Sequence, residues 1–311
     1  MNVLNTVELP TSIRGSYLPL TTEDGKMIIS NSEVGTFLSC ERKHYYAHGL
    51  GLAPKKTSDS LSRGIIGHEA LAEYYMNDRN PDKMFRVVDS HAVAGTGDMD
   101  MLTGLRTLLS FYVEHYADED AALFDILEVE KAYYMDLGDE YSYGMRLDLL
   151  AQFKRGPYMG EKVLIDHKFQ YNFPTADELA LNVQLPKYIG TLRNNGIDVK
   201  RGMLNVLRWR VTKANEHVAS ERFRREVVTP EPKLIRQVMK EQVLASERIA
   251  DRKAEPVRVY GAIALRSINS MTCKNCAFSN LCATEMRGED ASVMIQTEFQ
   301  KNTYGYSKGD E

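Results

Sequence analysis

Residues 163–169 read VLIDHKF. An apolar run, Val163-Leu164-Ile165, passes directly into Asp166-His167-Lys168, and this junction decides how the chain is read. Side chains alternate along a strand, so Asp166 and Lys168 stand on one face. The plain reading is a solvated ion pair at a strand end. The chemical reading is a carboxylate that holds a metal ion, beside a cation that positions or deprotonates an attacking water. A second acid, Asp148, stands in MRLDLLA between Leu147 and Leu149. Buried there unpaired it would cost several kcal/mol, so it needs a cation or a metal unless its strand lies at an edge with Asp148 in solvent. If the two strands are adjacent and antiparallel, Asp148 and Asp166 reach one ion. Two carboxylates with water in the open positions suit Mg²⁺ or Mn²⁺ better than zinc.

On the C-terminal side, a capping box, Thr175-x-x-Glu178, opens a helix expected to run to about 194, with a kink at Pro186, which lacks a backbone donor. Gln184 and Tyr188 fall four apart on one face of it, where both can reach a phosphate or a base; alone, such a tyrosine more often faces a core. A strand is expected at 203–211 and a long charged helix at about 230–254. On the N-terminal side, 124–135, 142–152 and 161–170 read as three consecutive strands separated by Gly-containing turns. Helices are expected at 60–76 and 100–116, with 81–99 as loop. His68 lies on the apolar face of the first of these, behind Gly64, as either a satisfied core residue or a ligand. A further capping box, Ser30-x-x-Glu33, opens a helix leading to Cys40. Consecutive strands followed by a helix crossover predict an α/β fold, a mixed sheet with helices on its faces. Residues 1–29 read as an irregular arm, 30–290 as a single domain and 291–311 as a polar tail.

Four cysteines in 311 residues are too few for a disulfide scaffold. Cys273, Cys276 and Cys282 form a Cys-x2-Cys-x5-Cys cluster, and Cys40 stands alone. In a reducing compartment such spacing points to a metal site rather than to bridges. A fourth ligand must come from elsewhere, Cys40 is the cysteine left, and no histidine follows His217. Four thiolates suit tetrahedral zinc or an iron–sulfur cluster. The alternative is four unrelated buried thiols.

Lys plus Arg number 39 against 43 Asp plus Glu, a net charge of -4, which argues against a uniformly basic coat for nucleic acid. The charge is uneven, however. Residues 117–140 hold nine acids and one Lys, whereas residues 187–225 hold ten Lys or Arg and three acids. The basic stretch contains Arg208-Trp209-Arg210, an aromatic between basic groups as single-strand binders often show; the alternative is an ordinary solvated face. No run approaches the ~20 apolar residues of a membrane span, and the N-terminal stretch lacks a signal-peptide core, so a cytoplasmic location is expected. No Gly-x4-Gly-Lys-Ser/Thr pattern occurs, so helicase activity would have to come from a partner.

Taken in order, these motifs resemble the RecB-like branch of the PD-(D/E)XK nuclease superfamily, in particular its members with a four-cysteine iron–sulfur cluster. Similar proteins include CRISPR-associated exonucleases of that branch, the AddB nuclease domain and related phage nucleases. The resemblance rests on Ser30-x-Ser32 with Phe37 and Cys40, Gly64-x3-His68, Asp148, Asp166-x-Lys168, Gln184-x3-Tyr188 and the Cys273, Cys276, Cys282 cluster, over residues 30 to 282. The chain departs from the family at Glu41, where proline is common, at Gly144, one position too far from Asp148, and at Pro186.

The resemblance implies a restriction-endonuclease-like core whose N- and C-terminal helical segments are joined by a 4Fe-4S cluster on Cys40, Cys273, Cys276 and Cys282, with zinc as the alternative. It implies that His68, Asp148, Asp166 and the carbonyl of His167 hold Mg or Mn, with Asp148, Asp166 and Lys168 catalytic. Gln184, Tyr188, Arg208 and Arg210 are the expected DNA contacts. The activity implied is a metal-dependent DNA exonuclease, with endonuclease action as a second capability, on single-stranded DNA or DNA ends. Its setting would be recombination, repair or phage DNA processing in a bacterial or phage-infected cytoplasm, with a helicase or recombination partner. The competing reading is a non-catalytic DNA-binding or scaffold subunit with a structural metal.

Overall fold

The computed structural model describes residues 21–210, 215 and 218–301. Strand β1 (Met27–Ser30) leads into α1 (Asn31–Ser39), which Ser30 caps by accepting from the Glu33 amide. A short α2 (Glu41–His44) continues as a π turn at Tyr45–Gly49, followed by β2 (Leu52–Pro54). Three helices come next, α3 (Asp59–Met76), α4 (Pro81–Ala94) and α5 (Met99–Leu123). Five strands then follow: β3 (Phe124–Val129), β4 (Ala132–Asp136), β5 (Tyr141–Arg146), β6 (Leu149–Phe153) and β7 (Lys162–Gln170). Helices α6 (Ala176–Ala180) and α7 (Gln184–Asn194) precede β8 (Arg201–Arg208), α8 (Ala219–Arg222) and β9 (Phe223–Val228). The rest is α9 (Pro232–Ala254), α10 (Val257–Ile263), α11 (Ser270–Lys274), α12 (Ser279–Met286), α13 (Ser292–Glu298) and β10 (Phe299–Lys301).

VLIDHKF forms most of β7, the middle strand of a five-stranded sheet in the order β3-β6-β7-β8-β9. Its pairing with β6 is antiparallel and with β8 parallel, so the sheet is mixed, and α6 and α7 supply the crossover that a parallel pair requires. A central strand is covered on both faces, which is why its apolar half has no polar alternation. Val163 and Ile165 join Leu71, Leu105 and Leu109 of α3 and α5 in one core. Leu164 faces the other way, with Leu150, Leu204 and Val206, against Leu185 and Ile189 of α7. Helix α9 covers α7 closely: a Cβ on Gly190 would stand 2.6 Å from the Met239 side chain. The fold is thus a mixed α/β layer arrangement with helices on both faces of the sheet. Among the described residues no helix is long and apolar enough to cross a membrane.

Several expected elements differ. The segment 81–99, read as loop, contains α4. Its signals are present: Asn80 caps by accepting from Asp82, Pro81 stands in the first turn, and Gly95 closes the helix at φ 64. The single helix expected from 175 to 194 is two, α6 and α7. Pro186 lies in the first turn of α7, where a backbone N–H has no helical acceptor, so it interrupts nothing. Residues 291–301, read as the start of a loose tail, form α13 and β10; β10 pairs with β2, and Phe299 stacks on Phe278 at 5.4 Å. Residues 1–20 of the expected arm, Val211 and residues 302–311 lie outside the described residues.

The two long strands expected at 124–135 and 142–152 are each cut in two. The first breaks at Glu130, whose φ is +49°, and the second at Leu147-Asp148. The breaks face each other: the Glu130 amide donates to the Asp148 carbonyl at 3.0 Å, and the Leu147 amide to the Lys131 carbonyl at 3.0 Å. One bent hairpin therefore passes from the central sheet, as β3 and β6, into a second sheet ordered β1-β5-β4.

Candidate active site

Leu149 pairs with Ile165 in the β6–β7 ladder, so the chain just before it brings Asp148 beside Asp166 and His167. Asp148 Oδ2 accepts from the His167 backbone amide at 2.7 Å, and its Oδ1 lies 3.3 Å from Nδ1 of His68 on α3. Asp166 is 3% exposed. Its Oδ1 accepts from Lys168 Nζ and from Gln184 Nε2, both at 3.0 Å, and Lys168 donates to Gln184 Oε1 at 3.0 Å. Gln184 therefore clamps the acid and the ammonium to each other. Lys168 Nζ also lies 2.7 Å from Asp166 Oδ2, but off the angle of a hydrogen bond, so that buried oxygen keeps no hydrogen-bond partner.

The electrostatics separate the two acids. Burial pushes Asp148 up, but the charge and hydrogen bond of His68 outweigh it and hold the carboxyl well below the usual range. Burial also pushes Asp166 up and wins there, helped by the negative charge of Asp148, although Lys168 opposes it. Lys168 is pushed down by burial yet raised overall by Asp166 and Asp148, so its ammonium form is favoured. His68 is likewise raised, because Asp148 outweighs burial.

A residue that sequence reasoning missed joins this group. Ligand atoms of His68, Glu130 and Asp148 all lie within 4.8 Å of one another. Burial and the charge of Asp148 push the Glu130 carboxyl up to about 7. Glu130 carries no motif of its own; its signal is the left-handed backbone of a non-glycine residue, visible only in three dimensions.

His167 contributes backbone, not its ring. The imidazole stacks on Tyr75 at 5.7 Å and meets Asn205 Nδ2 at 2.8 Å. Asn205 also donates to Tyr112, whose hydroxyl lies 2.7 Å from that of Tyr75, and Tyr75 donates to Asp120. Arg225 closes the network with two hydrogen bonds to Asp120, at 2.5 and 3.0 Å. One of the ten basic residues of the 187–225 stretch is thus held in the core.

The expected DNA contacts divide. Gln184 points inward, as described, and Tyr188 is 8% exposed, in the core with Leu185 and Ile189, where burial pushes its hydroxyl pKa up. Arg208 and Arg210 lie at the rim. Arg208 donates to the Tyr171 carbonyl at 3.2 Å and pairs with Glu221 at 3.1 Å, while Arg210 donates to the Tyr171 hydroxyl. Between them Trp209 meets Tyr171 edge-on at 5.1 Å and is covered by Arg63 at 4.1 Å.

The four cysteines line one pocket of about 170 Å³, with Arg42, Lys43 and Arg266 in its wall. Arg266 donates to Cys282 Sγ at 3.4 Å and the Ser267 amide to Cys40 Sγ at 3.5 Å. The sulfurs are spread around the pocket: among the described residues, no three lie within 4.8 Å of one another. A second group, Glu33, His44 and His48, does meet that distance. There Lys253 Nζ already stands 2.8 Å from Glu33, and His44 is shared between Glu33 at 3.0 Å and Tyr260 at 2.8 Å. A built-in cation satisfies that group.

The family model of the PD-(D/E)XK nuclease superfamily matches residues 28–283. The chain belongs to this superfamily. Its match spans β1 to α12 and so includes every residue of the candidate site. PD-(D/E)XK nucleases use divalent metals such as Mg²⁺ or Mn²⁺, and the residues present fit one: His68, Glu130 and Asp148 form a group of hard-to-borderline donors, with the Asp166 carboxylate close by. Among solved structures, SSO0001 is 14% identical over 87% of this chain and 91% of its own, with a TM-score of 0.39. A candidate exonuclease from Eubacterium rectale is 10% identical over 83% of this chain and 94% of its own, with a TM-score of 0.47. At those scores the likeness carries no functional weight. No curated protein matches the chain.

Proposed function

We propose that this PD-(D/E)XK nuclease is a Mg²⁺- or Mn²⁺-dependent DNA phosphodiesterase acting as an exonuclease on single-stranded DNA or DNA ends. The observation that carries it is the convergence of His68, Glu130 and Asp148, whose ligand atoms lie within 4.8 Å of one another beside the buried Asp166–Lys168 pair, in a chain of the PD-(D/E)XK nuclease superfamily. Two carboxylates this close repel each other unless a cation joins them. His68, Asp148, Asp166 and the carbonyl of His167 would hold the ion, with Glu130 beside them. A bound divalent ion supplies charge neutralisation at the phosphate and a more acidic bound water. Lys168, kept protonated by its two acids, orients the attacking water and offsets the charge that develops on the phosphate. Gln184 holds Lys168 and Asp166 in register, and the His167 amide fixes Asp148.

The cysteine pocket takes a 4Fe-4S cluster in this reading. Zinc at about 2.3 Å from each sulfur requires sulfurs under about 4 Å apart, closer than the spread described, whereas a cluster holds its thiolates farther apart. Arg208, Trp209 and Arg210 would meet the DNA, with recombination, repair or phage DNA processing in the cytoplasm as the setting and a helicase partner supplying unwinding. The deciding test is cleavage of 5′- and 3′-labelled single-stranded oligonucleotides with Mn²⁺, Mg²⁺ or chelator. Metal-dependent cleavage that drops about 10²–10³-fold in Asp166→Asn and Lys168→Ala is expected. Rates like those of the wild type in either variant overturn the assignment, and a wild type inactive with every metal favours the non-catalytic DNA-binding subunit.

A further inference from the structure

The catalytic face does not end at Lys168. Gln170 is two residues on, on the same face of β7 and about 6.6 Å farther along at about 3.3 Å per residue. There a cavity of about 390 Å³ opens, lined in part by Lys168. That volume is within the range of sites for small organic groups. Its floor is Leu204 and Val206, which pair with Asp166 and Lys168 across the β7–β8 ladder. Phe173 and Leu179 add apolar lining, Gln170, Asn172 and Asn182 are its amide residues, and Glu178 is its one acid. The loop over it is braced from outside: Arg208 donates to the Tyr171 carbonyl at 3.2 Å and Arg224 to the Pro174 carbonyl at 3.4 Å. Both guanidinium groups lie within 6 Å of the Phe173 ring centre, at 5.7 and 5.9 Å. The cavity thus combines an aromatic side chain, apolar groups, and amide donors and acceptors with the Lys168 ammonium and one carboxylate, Glu178, while Arg208 and Arg224 lie against Phe173 and pair with Glu221 and Glu226.

We propose that this cavity seats the base of the nucleotide adjoining the scissile phosphate. The proposal rests on the nuclease reading of the same site and deepens it. A base is recognised by stacking on aromatic and apolar groups and by hydrogen bonds to its edge, which Phe173, Leu179, Gln170 and Asn172 offer together. A base stacked within a duplex cannot enter, so the substrate class is unpaired DNA or an end that frays.

The test uses a labelled single-stranded oligonucleotide in Mn²⁺ and a series in which one abasic tetrahydrofuran residue is moved along it. Wild type, Gln170→Ala, Asn172→Ala and Phe173→Ala are compared. One abasic position beside the cleaved bond is expected to lower kcat/KM about tenfold in the wild type, mainly through KM. In the variants the intact DNA loses a similar factor and the abasic penalty shrinks. Indifference of the wild type to every abasic position overturns the proposal, as does a penalty unchanged in all three variants. Gln170 and Asn172 are outside the core, so the test survives a poorly folded Phe173→Ala. If no DNA is cut, the nuclease reading fails separately, and the cavity is judged by ligand-observed NMR with dAMP, dCMP, dGMP and dTMP. Saturation transfer that is lost in Gln170→Ala and Asn172→Ala upholds it, and no transfer to any of the four overturns it.

Discussion

Glu130 shows at the scale of one residue how function and stability pull apart. A non-glycine residue in the left-handed region costs of order 1 kcal/mol, and glycine there does not. Glu130→Gly should therefore raise the melting temperature while weakening Mn²⁺ binding about tenfold, as followed by the electron paramagnetic resonance of the free ion. A variant that gains stability with unchanged Mn²⁺ affinity removes Glu130 from the metal group. His48 gives a prediction from charge. Burial holds its imidazole down to about 4 against an ordinary 6.5, opposed by Glu33 and helped by His44 and Lys253. Between those values the unfolded chain takes up a proton that the folded protein refuses, so this histidine makes stability fall as pH falls. In His48→Gln the slope of unfolding free energy against pH, from urea titrations between pH 4 and 6.5, should be smaller by up to about 1.4 kcal/mol per pH unit. Identical slopes would mean that His48 is protonated in the fold.

Among the elements, α3 and β7 meet at one glycine. A Cβ on Gly67 would stand 2.4 to 2.6 Å from the Phe169 ring. Gly67→Ala must push the helix off the strand, and His68, the next residue, moves with it away from Asp148. A loss of about 1–3 kcal/mol by denaturant unfolding is expected, with Phe169→Leu restoring most of it. If Gly67→Ala unfolds like the wild type, the contact is looser than described. The sequence motif pointed to Gly64, yet a Cβ at Gly64 would meet nothing within 4 Å. That contrast shows what a sequence makes legible. The Asp166-x-Lys168 pair could be read because a strand's two-residue period fixes its face without knowing the neighbours. The helix of Gln184 and Tyr188 begins later than its capping box suggests, since Pro186 forbids a helix interior and permits a first turn, and its Gln184 turns to Asp166 and Lys168. Gly67 and Glu130 needed a partner that lies far along the chain, Phe169 for one and Asp148 for the other. Helix α4 needs no such partner: its Asn80 cap, its Pro81 in the first turn and its Gly95 stop are all local signals, and Met84, Val87 and Val88 give it a buried face.

At the scale of the whole molecule, the segment after α9 returns to the beginning of the chain. Strand β10 pairs with β2, Phe278 packs beside Tyr46, and Cys273, Cys276 and Cys282 share a pocket with Cys40. The residues of the candidate active site lie in a different part of the fold, on α3, β7 and the bend of the hairpin. Cys40→Ser is therefore expected to lose the metal proposed for this pocket and to make residues 264–301 the first site of limited proteolysis. The central sheet should stay protected in hydrogen exchange. Equal protease resistance in the variant and the wild type would show that Phe299 and Phe278 hold this segment without the thiols.

The same return of the chain sets an order of events during synthesis. A ribosome delivers residues 68 to 168, the acids, the lysine and the histidine, long before it delivers Cys273. The central sheet can collapse while the thiol pocket still has one wall. Whatever fills that pocket can be inserted only after nearly all of this sequence has emerged, so a message cut short past β9 yields a chain that holds every residue of the candidate site but has its ends untied. The apolar surface of Tyr46 and Leu52, covered in the full fold by Phe278 and β10, would then stay exposed.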